Sequence, residues 1–208
     1  MINIIQSKRP AVRYDAEHKQ NTRKKLLKAA ADAIRLEGPH RVGVAGVMAK
    51  AGLTHGGFYA HFASKDELVS AAIGQMFEES HARALRETLD KAPDEGLRSY
   101  IRFYLSRAHR DAKDVGCPVA ALLSDLPRLE TSARERFAEG ACRLGAILAS
   151  LLKQLGYEEA QAQSDSMLAE LVGALSMARA ETDPKRSDAI LQHSKRSLMR
   201  RYGLEEAA

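Results

Sequence analysis

Tryptophan is absent, aromatic residues make up only 5% of the 208 residues, and there are two cysteines and six prolines. Two cysteines cannot build a disulfide scaffold, so a reducing compartment, the cytoplasm, is the expected location. Long apolar runs are missing too. The uncharged stretch Leu144–Leu152 has nine residues, far below the roughly 18 that a membrane helix requires. Met1–Ile5 is too brief for the apolar part of a secretion signal. No membrane partner is expected. β-Branched residues are scarce: 8 Val, 8 Ile and 5 Thr stand against 34 Ala and 24 Leu. That balance favours helices, because branching at Cβ costs rotamer freedom in a helix. Pro39, Pro93, Pro118, Pro127 and Pro184 all fall between apolar-periodic stretches. The expected fold is all-α.

The net charge of +5 is unevenly placed. Residues 1–62 hold 11 Lys and Arg against 4 Asp and Glu, whereas the rest hold 21 against 23. A basic head on a near-neutral body suits a polyanion-binding module joined to a second functional part.

Residues 1–21, with Lys8, Arg9, Arg13 and Lys19, are expected to form a basic flexible arm. A first helix is expected over 22–37, with Leu26, Leu27, Ala30, Ala33 and Ile34 as its buried stripe, and Gly38-Pro39 stops it. Short helices follow over 44–51 and 55–62. Ser64-Lys65-Asp66-Glu67 has the form of a capping box at the start of a long helix running to residue 91. Further helices are expected over 94–113, 118–126, 130–155, 159–181 and 185–201, about nine in all. In the 130–155 helix a stripe of Ala138, Cys142, Gly145 and Ala149 would let a neighbouring helix approach closely.

Two short helices joined by a glycine-containing turn, within 44–62, form a helix-turn-helix arrangement. Gly52 suits a left-handed turn position. Thr54 can cap the second helix, whose N-terminal amides would then face a phosphate or a base edge. Val47, Ala51, Leu53, Phe58 and Phe62 would face the shared core.

Ala51-Gly52-Leu53-Thr54, Phe58-Tyr59-Ala60-His61-Phe62, Ser64-Lys65 and Leu68 together resemble the TetR family of transcriptional regulators, over roughly residues 22–68. The resemblance implies an N-terminal three-helix helix-turn-helix DNA-binding domain (22–66) and a larger helical ligand-binding and dimerisation domain (67–208). It also implies a homodimer that binds double-stranded DNA at a near-palindromic operator. A repressor released by an unidentified small-molecule or reactive inducer follows from it. The expected DNA-contacting residues are Thr54, His55, Gly56, Gly57, Tyr59, His61 and Lys65. This copy departs from the family pattern in two ways. Gly43 stands where the family usually has Ser or Thr before the second helix, and Gly56-Gly57 removes side chains from the recognition helix, leaving His55 and Tyr59 as base readers. Tyr59, His61 and Lys65 would position phosphates, which carry no sequence code.

In the body, Tyr100, Phe103, Tyr104 and Phe137 are candidate pocket lining, the alternative being ordinary core. Gly116-Cys117-Pro118 places Cys117 as an expected helix N-cap with Pro at the first helical position. There its thiol could answer an oxidant or electrophile. The apolar stripes Leu168, Leu171, Val172, Leu175, Ala178 and Ile190, Leu191, Leu198 suit a four-helix dimer interface through residues 159–201. An enzyme is not expected. Glu78-x-x-His81 has the spacing of a di-iron ligand pair, but the only other such spacing, Glu37–His40, straddles a helix stop. No metal, cofactor or catalytic constellation is therefore assigned. The rival class is a dimeric architectural DNA-binding protein without a ligand.

Overall fold

The computed structural model describes residues 11–205. Among these, nine α-helices and three short 3₁₀ turns occur and no strand. No helix among them is long and apolar enough to cross a membrane. The all-α expectation holds.

Helix α1 spans Ala11–Glu37, so it begins eleven residues before the expected start near Thr22. Residues 11–21, expected in a flexible arm, are helical. No glycine or proline interrupts the chain between Pro10 and Gly38, so a helix nucleated by the apolar stripe around Leu26 continues backwards through polar residues. Lys8 and Arg9 lie outside the described residues. Gly38 ends α1 at φ +82°, donating its N–H to Ile34 O at 2.9 Å.

Helix α2 (Val44–Lys50) and a 3₁₀ turn (His55–Ala60) lead into α3 (Lys65–Thr88). The long helix expected over 94–113 is broken into α4 (Pro93–Tyr104) and α5 (Arg107–Asp111). Ser106 causes the break: its hydroxyl accepts the His109 N–H at 3.1 Å and caps α5. The 118–126 helix is likewise shorter, as α6 (Pro118–Leu122) followed by a 3₁₀ turn (Leu126–Arg128). Helices α7 (Thr131–Gln154), α8 (Ala160–Ala180) and α9 (Pro184–Arg201) complete the body.

Helix α3 packs against α1, α4 and α7, and the apolar core runs unbroken from Leu26 to Leu204. Helix α3 packs on α7 tightly at Gly140; of the expected small-residue stripe Ala138 and Cys142 are exposed, Ala149 is half-buried and Gly145 is buried. Gly145 serves α8, its carbonyl accepting the Ser164 hydroxyl at 2.8 Å. A Cβ on Gly140 would lie 2.2 Å from Phe77 Cγ. Gly140→Ala is therefore expected to lower stability by about 2 kcal/mol through forced repacking of a buried ring. Gly145→Ala, whose Cβ would meet Ser164 Oγ at 3.7 Å, is the near-neutral control. Thermal melts of the two variants compare the sites; equal melting temperatures would contradict the tight contact.

The dimer stripes prove to be mostly intrachain core. Leu171, Val172, Leu175, Ala178, Leu191 and Leu198 are buried within the single chain, because α8 packs on both α7 and α9. Leu168 and Ile190 are half-buried and Met177 is exposed.

Candidate functional site: a helix-turn-helix face and a buried aromatic cavity

Helix α2 ends in a tight turn. The Gly52 N–H donates to Ala49 O at 3.0 Å and the Leu53 N–H to Met48 O at 2.9 Å. Gly52 takes φ +74°, a conformation open to glycine because it has no Cβ to clash. Gly43 precedes α2 without a side-chain cap, and Thr54, expected to cap the next helix, makes no side-chain cap bond either. Its hydroxyl is thus not committed to the fold.

The recognition element is six residues of 3₁₀ turn rather than an α-helix over 55–62. Two adjacent glycines explain this: each weakens a helix by about 1 kcal/mol relative to Ala. Space is free at Gly56, where a Cβ would meet nothing within 4 Å, and its φ is not positive. Gly56→Ala should therefore stabilise the domain by roughly 0.5–1 kcal/mol. A melting temperature unchanged or lowered would contradict this.

Phe58 and Phe62 are buried and stack at 5.8 Å, and the Tyr59 ring stands edge-on to Phe58 at 5.3 Å with 74% of the residue exposed. Tyr59 is thus presented outward by the core beneath it. Arg23 of α1 lies over the Phe62 ring, 4.2 Å from its centre, and donates to the His61 carbonyl. Burial lowers the His61 pKa, and the charges of Lys19 and Arg23 lower it further. His61 is accordingly a neutral ring at pH 7 rather than a cation. Lys65, half-buried, donates to His40 O at 3.0 Å, a fold-stabilising bond at the surface. Gly56 is exposed and Gly57 half-buried; the His55 side chain lies outside the described part of the structure.

Ser64 caps α3 as expected, accepting the Glu67 N–H at 3.0 Å. Glu67 reaches one residue further back than a capping box requires, to the Ala63 N–H at 2.7 Å. Lys19 and Arg23 were missed as members of this face. They are one helical turn apart, but that spacing has meaning only once α1 extends back to Ala11.

The second site is a cavity of about 10 Å³ lined by Ser80, Arg83, Tyr100, Phe103, Tyr104, His109, Cys117 and Leu144. Of the expected lining, Tyr100, Phe103, Tyr104 and Cys117 meet here. Phe137 does not: it packs edge-on against Phe77 at 5.2 Å, in the α3–α7 core. Cys117 does precede α6, with Pro118 in the first turn, but makes no side-chain cap bond and is buried.

His109, also missed from the sequence, organises the cavity. Its Nδ1 lies 2.8 Å from Tyr104 O, and its Nε2 accepts the Cys117 N–H at 3.2 Å. A carbonyl can only accept, so Nδ1 carries the proton and the ring is neutral. Burial pushes its pKa down to about 4, the hydrogen bond to Tyr104 opposes this, and Arg179 and Arg83 add to the lowering. The ring stacks on Phe103 at 5.1 Å. Tyr104 Oη is buried without a hydrogen-bond partner, and burial, first, and then the neighbouring Cys117 raise its pKa.

The loop carrying Cys117 is tied directly by Arg83 and Arg35, while Arg179 holds α5 just before it. Arg83 donates to Val115 O at 2.7 Å. Arg179 of α8 donates to Arg110 O at 3.0 Å and His109 O at 2.9 Å. Arg35 of α1, its side chain wholly buried, donates to Asp114 O at 3.2 Å and Met76 O at 3.4 Å, and pairs with Glu79 at 2.7 Å. A cavity in the body is thereby bonded through one loop to the helix that underlies the recognition turn. Glu78, of the supposed metal spacing, is held instead by Arg143.

Among the described residues, an all-helical fold with an N-terminal helix-turn-helix has the architecture of a DNA-binding regulator. Residues 26–72 match the family described as bacterial regulatory proteins, tetR family. The chain is 26% identical over 151 residues to the HTH-type transcriptional regulator LmrA of Bacillus subtilis (strain 168), covering 70% of this chain and 79% of that one. Its fold is similar to that of reduced NemR from E. coli (TM-score 0.76, 21% identity, 86% of this chain and 97% of that one). It is also similar to a TetR-family regulator from Agrobacterium tumefaciens (TM-score 0.75, 24% identity, 88% and 98%). The match over residues 26–72 makes the N-terminal part of the chain similar to bacterial regulatory proteins of the tetR family, and the fold is that of solved regulators.

Proposed function

We propose that the protein is a homodimeric repressor that binds a near-palindromic operator and is released when the aromatic cavity receives a small-molecule or reactive inducer. The observation that carries this reading is the Arg35 clasp. It bonds the Cys117 loop directly to α1, so a change in the cavity has a physical route to the DNA-binding face. A two-state element that both sites bias is what coupling requires, and the loop of residues 112–117 is that element. The exposed Met177 and half-buried Leu168 and Ile190 are the apolar groups that α8 and α9 leave for a second copy. Two copies would place their recognition turns about 34 Å apart, one turn of duplex.

Tyr59, Lys19 and Arg23 provide phosphate contacts in this reading, with the Thr54 hydroxyl and the amides near Gly56 and Gly57 facing the groove. Lys19→Ala is expected to weaken binding to every duplex alike and to reduce the salt slope by about 1. Sedimentation velocity with a 30-base-pair duplex tests the stoichiometry. Two protomers per duplex support the proposal, and a monomer at micromolar concentration, free and bound, would refute it.

A further inference from the structure

The aromatic cavity has room for about one water molecule, and Phe103 stands at its edge. The Phe103 ring stacks on the neutral His109 ring at 5.1 Å with 20° between the planes, and the Arg83 guanidinium lies 5.8 Å from its centre. Phe103 is nonetheless only half-buried. An open cleft of about 570 Å³, walled by Glu87, Lys91, Glu95, Arg98 and Ser99, lies on its outer side, and Phe103 lines both spaces. Two further features bear on what the inner site would hold. Tyr104 Oη, on a residue 2% exposed, has no hydrogen-bond partner, and the Cys117 sulfur near it is a weak acceptor at most. A buried hydroxyl left in this state is costly to maintain. The local charge is positive. Arg83 and Arg179 spend their hydrogen bonds on the carbonyls of Val115, Arg110 and His109. The carboxylates whose charge reaches them, Glu79 and Asp111, are paired elsewhere, with Arg35 and Arg110. Both guanidiniums act on His109, and Arg179 acts on the Tyr104 hydroxyl as well.

We propose that the site takes a single-ring aromatic carboxylate, of which benzoate is the simplest, in the place that the Phe103 ring now fills. A phenylalanine on a helix has two χ1 wells open to it, and one rotamer step moves the Phe103 ring into the outer cleft. The ligand ring then stacks on His109 as Phe103 does. Its carboxylate accepts the Tyr104 O–H and lies against Arg83, with Arg179 contributing at longer range. A carboxylate is favoured over a neutral group because two guanidiniums there lack an anion. An aromatic ring is favoured over an aliphatic one because the slot is one planar ring thick. Phe103 is thereby a built-in competitor: every ligand must first displace it, which lowers the apparent affinity by the fraction of molecules with the ring out.

The effect on DNA rests on the inducer reading above, but the site and its ligand class do not, and the two are measured apart. The full-length protein is titrated by calorimetry with benzoate, with benzamide (the same shape without the charge) and with cyclohexanecarboxylate (the same charge without the flat ring). The titrations are repeated on Phe103→Ala, Phe103→Leu and Tyr104→Phe, whose folding is checked by thermal melts.

Benzoate should bind the native protein several-fold more tightly than either analogue. Phe103→Ala should bind it roughly tenfold more tightly than native protein does, because no ring has to leave first. Phe103→Leu should fall between the two, and it carries this comparison if the alanine variant does not fold. Tyr104→Phe should weaken benzoate roughly tenfold with an unchanged or raised melting temperature, since the hydroxyl it removes bonds nothing in the empty site. Benzamide binding as tightly as benzoate, native affinity in both Phe103 variants or in Tyr104→Phe, or no benzoate binding to a folded Phe103 variant would each overturn the proposal. Duplex binding is then titrated with and without saturating benzoate. Benzoate that fills the site by these criteria and leaves DNA affinity unchanged would refute the inducer reading while leaving the site intact.

Discussion

Arg35→Met is expected to lower stability by roughly 3 kcal/mol and to disconnect the cavity from the DNA-binding face. The side chain is wholly buried and serves three elements: α1 from its own backbone, α3 through Glu79 and Met76 O, and the Cys117 loop through Asp114 O. Methionine fills much of the same volume but donates nothing, which removes a donor from Asp114 O and Met76 O and leaves the Glu79 carboxylate with the Gln75 amide but without its cation. Breaking a fully buried ion pair by removing one partner costs about 3–5 kcal/mol. The 20% exposure of the Glu79 side chain lets water meet part of that charge, which places the cost near the lower end. Denaturant unfolding measures the first effect. For the second, DNA titration of the variant should show binding retained and the response to cavity occupancy lost. Native stability in the variant would mean that the clasp is incidental to the fold.

Acidification is expected to remove about 3 kcal/mol of stability through His109. Its folded pKa is about 4, against about 6.5 in an unfolded chain. Above pH 6.5 the ring is neutral in both states and the neutral, doubly hydrogen-bonded form is fully compatible with the fold. Between pH 6.5 and 4 the unfolded chain takes up a proton that the folded one refuses, so stability falls as pH falls. The loss is complete once pH passes below the folded pKa. His61, also lowered, adds to the same slope. His109→Gln should flatten the dependence between pH 6.5 and 4, as read by urea unfolding at a series of pH values. An identical slope in native protein and variant would contradict the assignment.

Much of the DNA-binding head was legible because its signals are local. Gly52 had to occupy a left-handed turn, Ser64-x-x-Glu67 had to cap a helix, and Phe58 and Phe62 had to face a core; each follows from residues within a few positions of one another. Helix α1 was misjudged because polar residues without a breaker can be arm or helix, and only the apolar stripe downstream decides between them. The recognition element changed type for a reason visible beforehand, Gly56-Gly57, although its 3₁₀ form depends on what the remaining residues can bond.

The cavity was only half legible. Tyr100, Phe103 and Tyr104 lie on one stretch and travel together. His109 joins them because Ser106 breaks the helix, and a serine inside a helical pattern is an ambiguous sign. Phe137 has the same chemistry as Phe103 but faces α3, a choice made by the glycine at 140 three residues along. Arg35 carries no local signal at all. Its partners Glu79 and Asp114 lie 44 and 79 residues away, so its role exists only in the fold.

The proposed sequence-specific recognition of a two-fold site by a dimer is tested most directly by selecting bound DNA from random duplexes and titrating salt on the winners. The recovered sequences should converge on two half-sites related by a dyad, their centres separated by about 10 base pairs or a multiple of it. Affinity should fall steeply with salt, because in the proposed reading phosphate contacts from Lys19, Arg23 and Tyr59 would outnumber base contacts across the glycine-rich turn. A recovered pool with no preferred base at any position would contradict it.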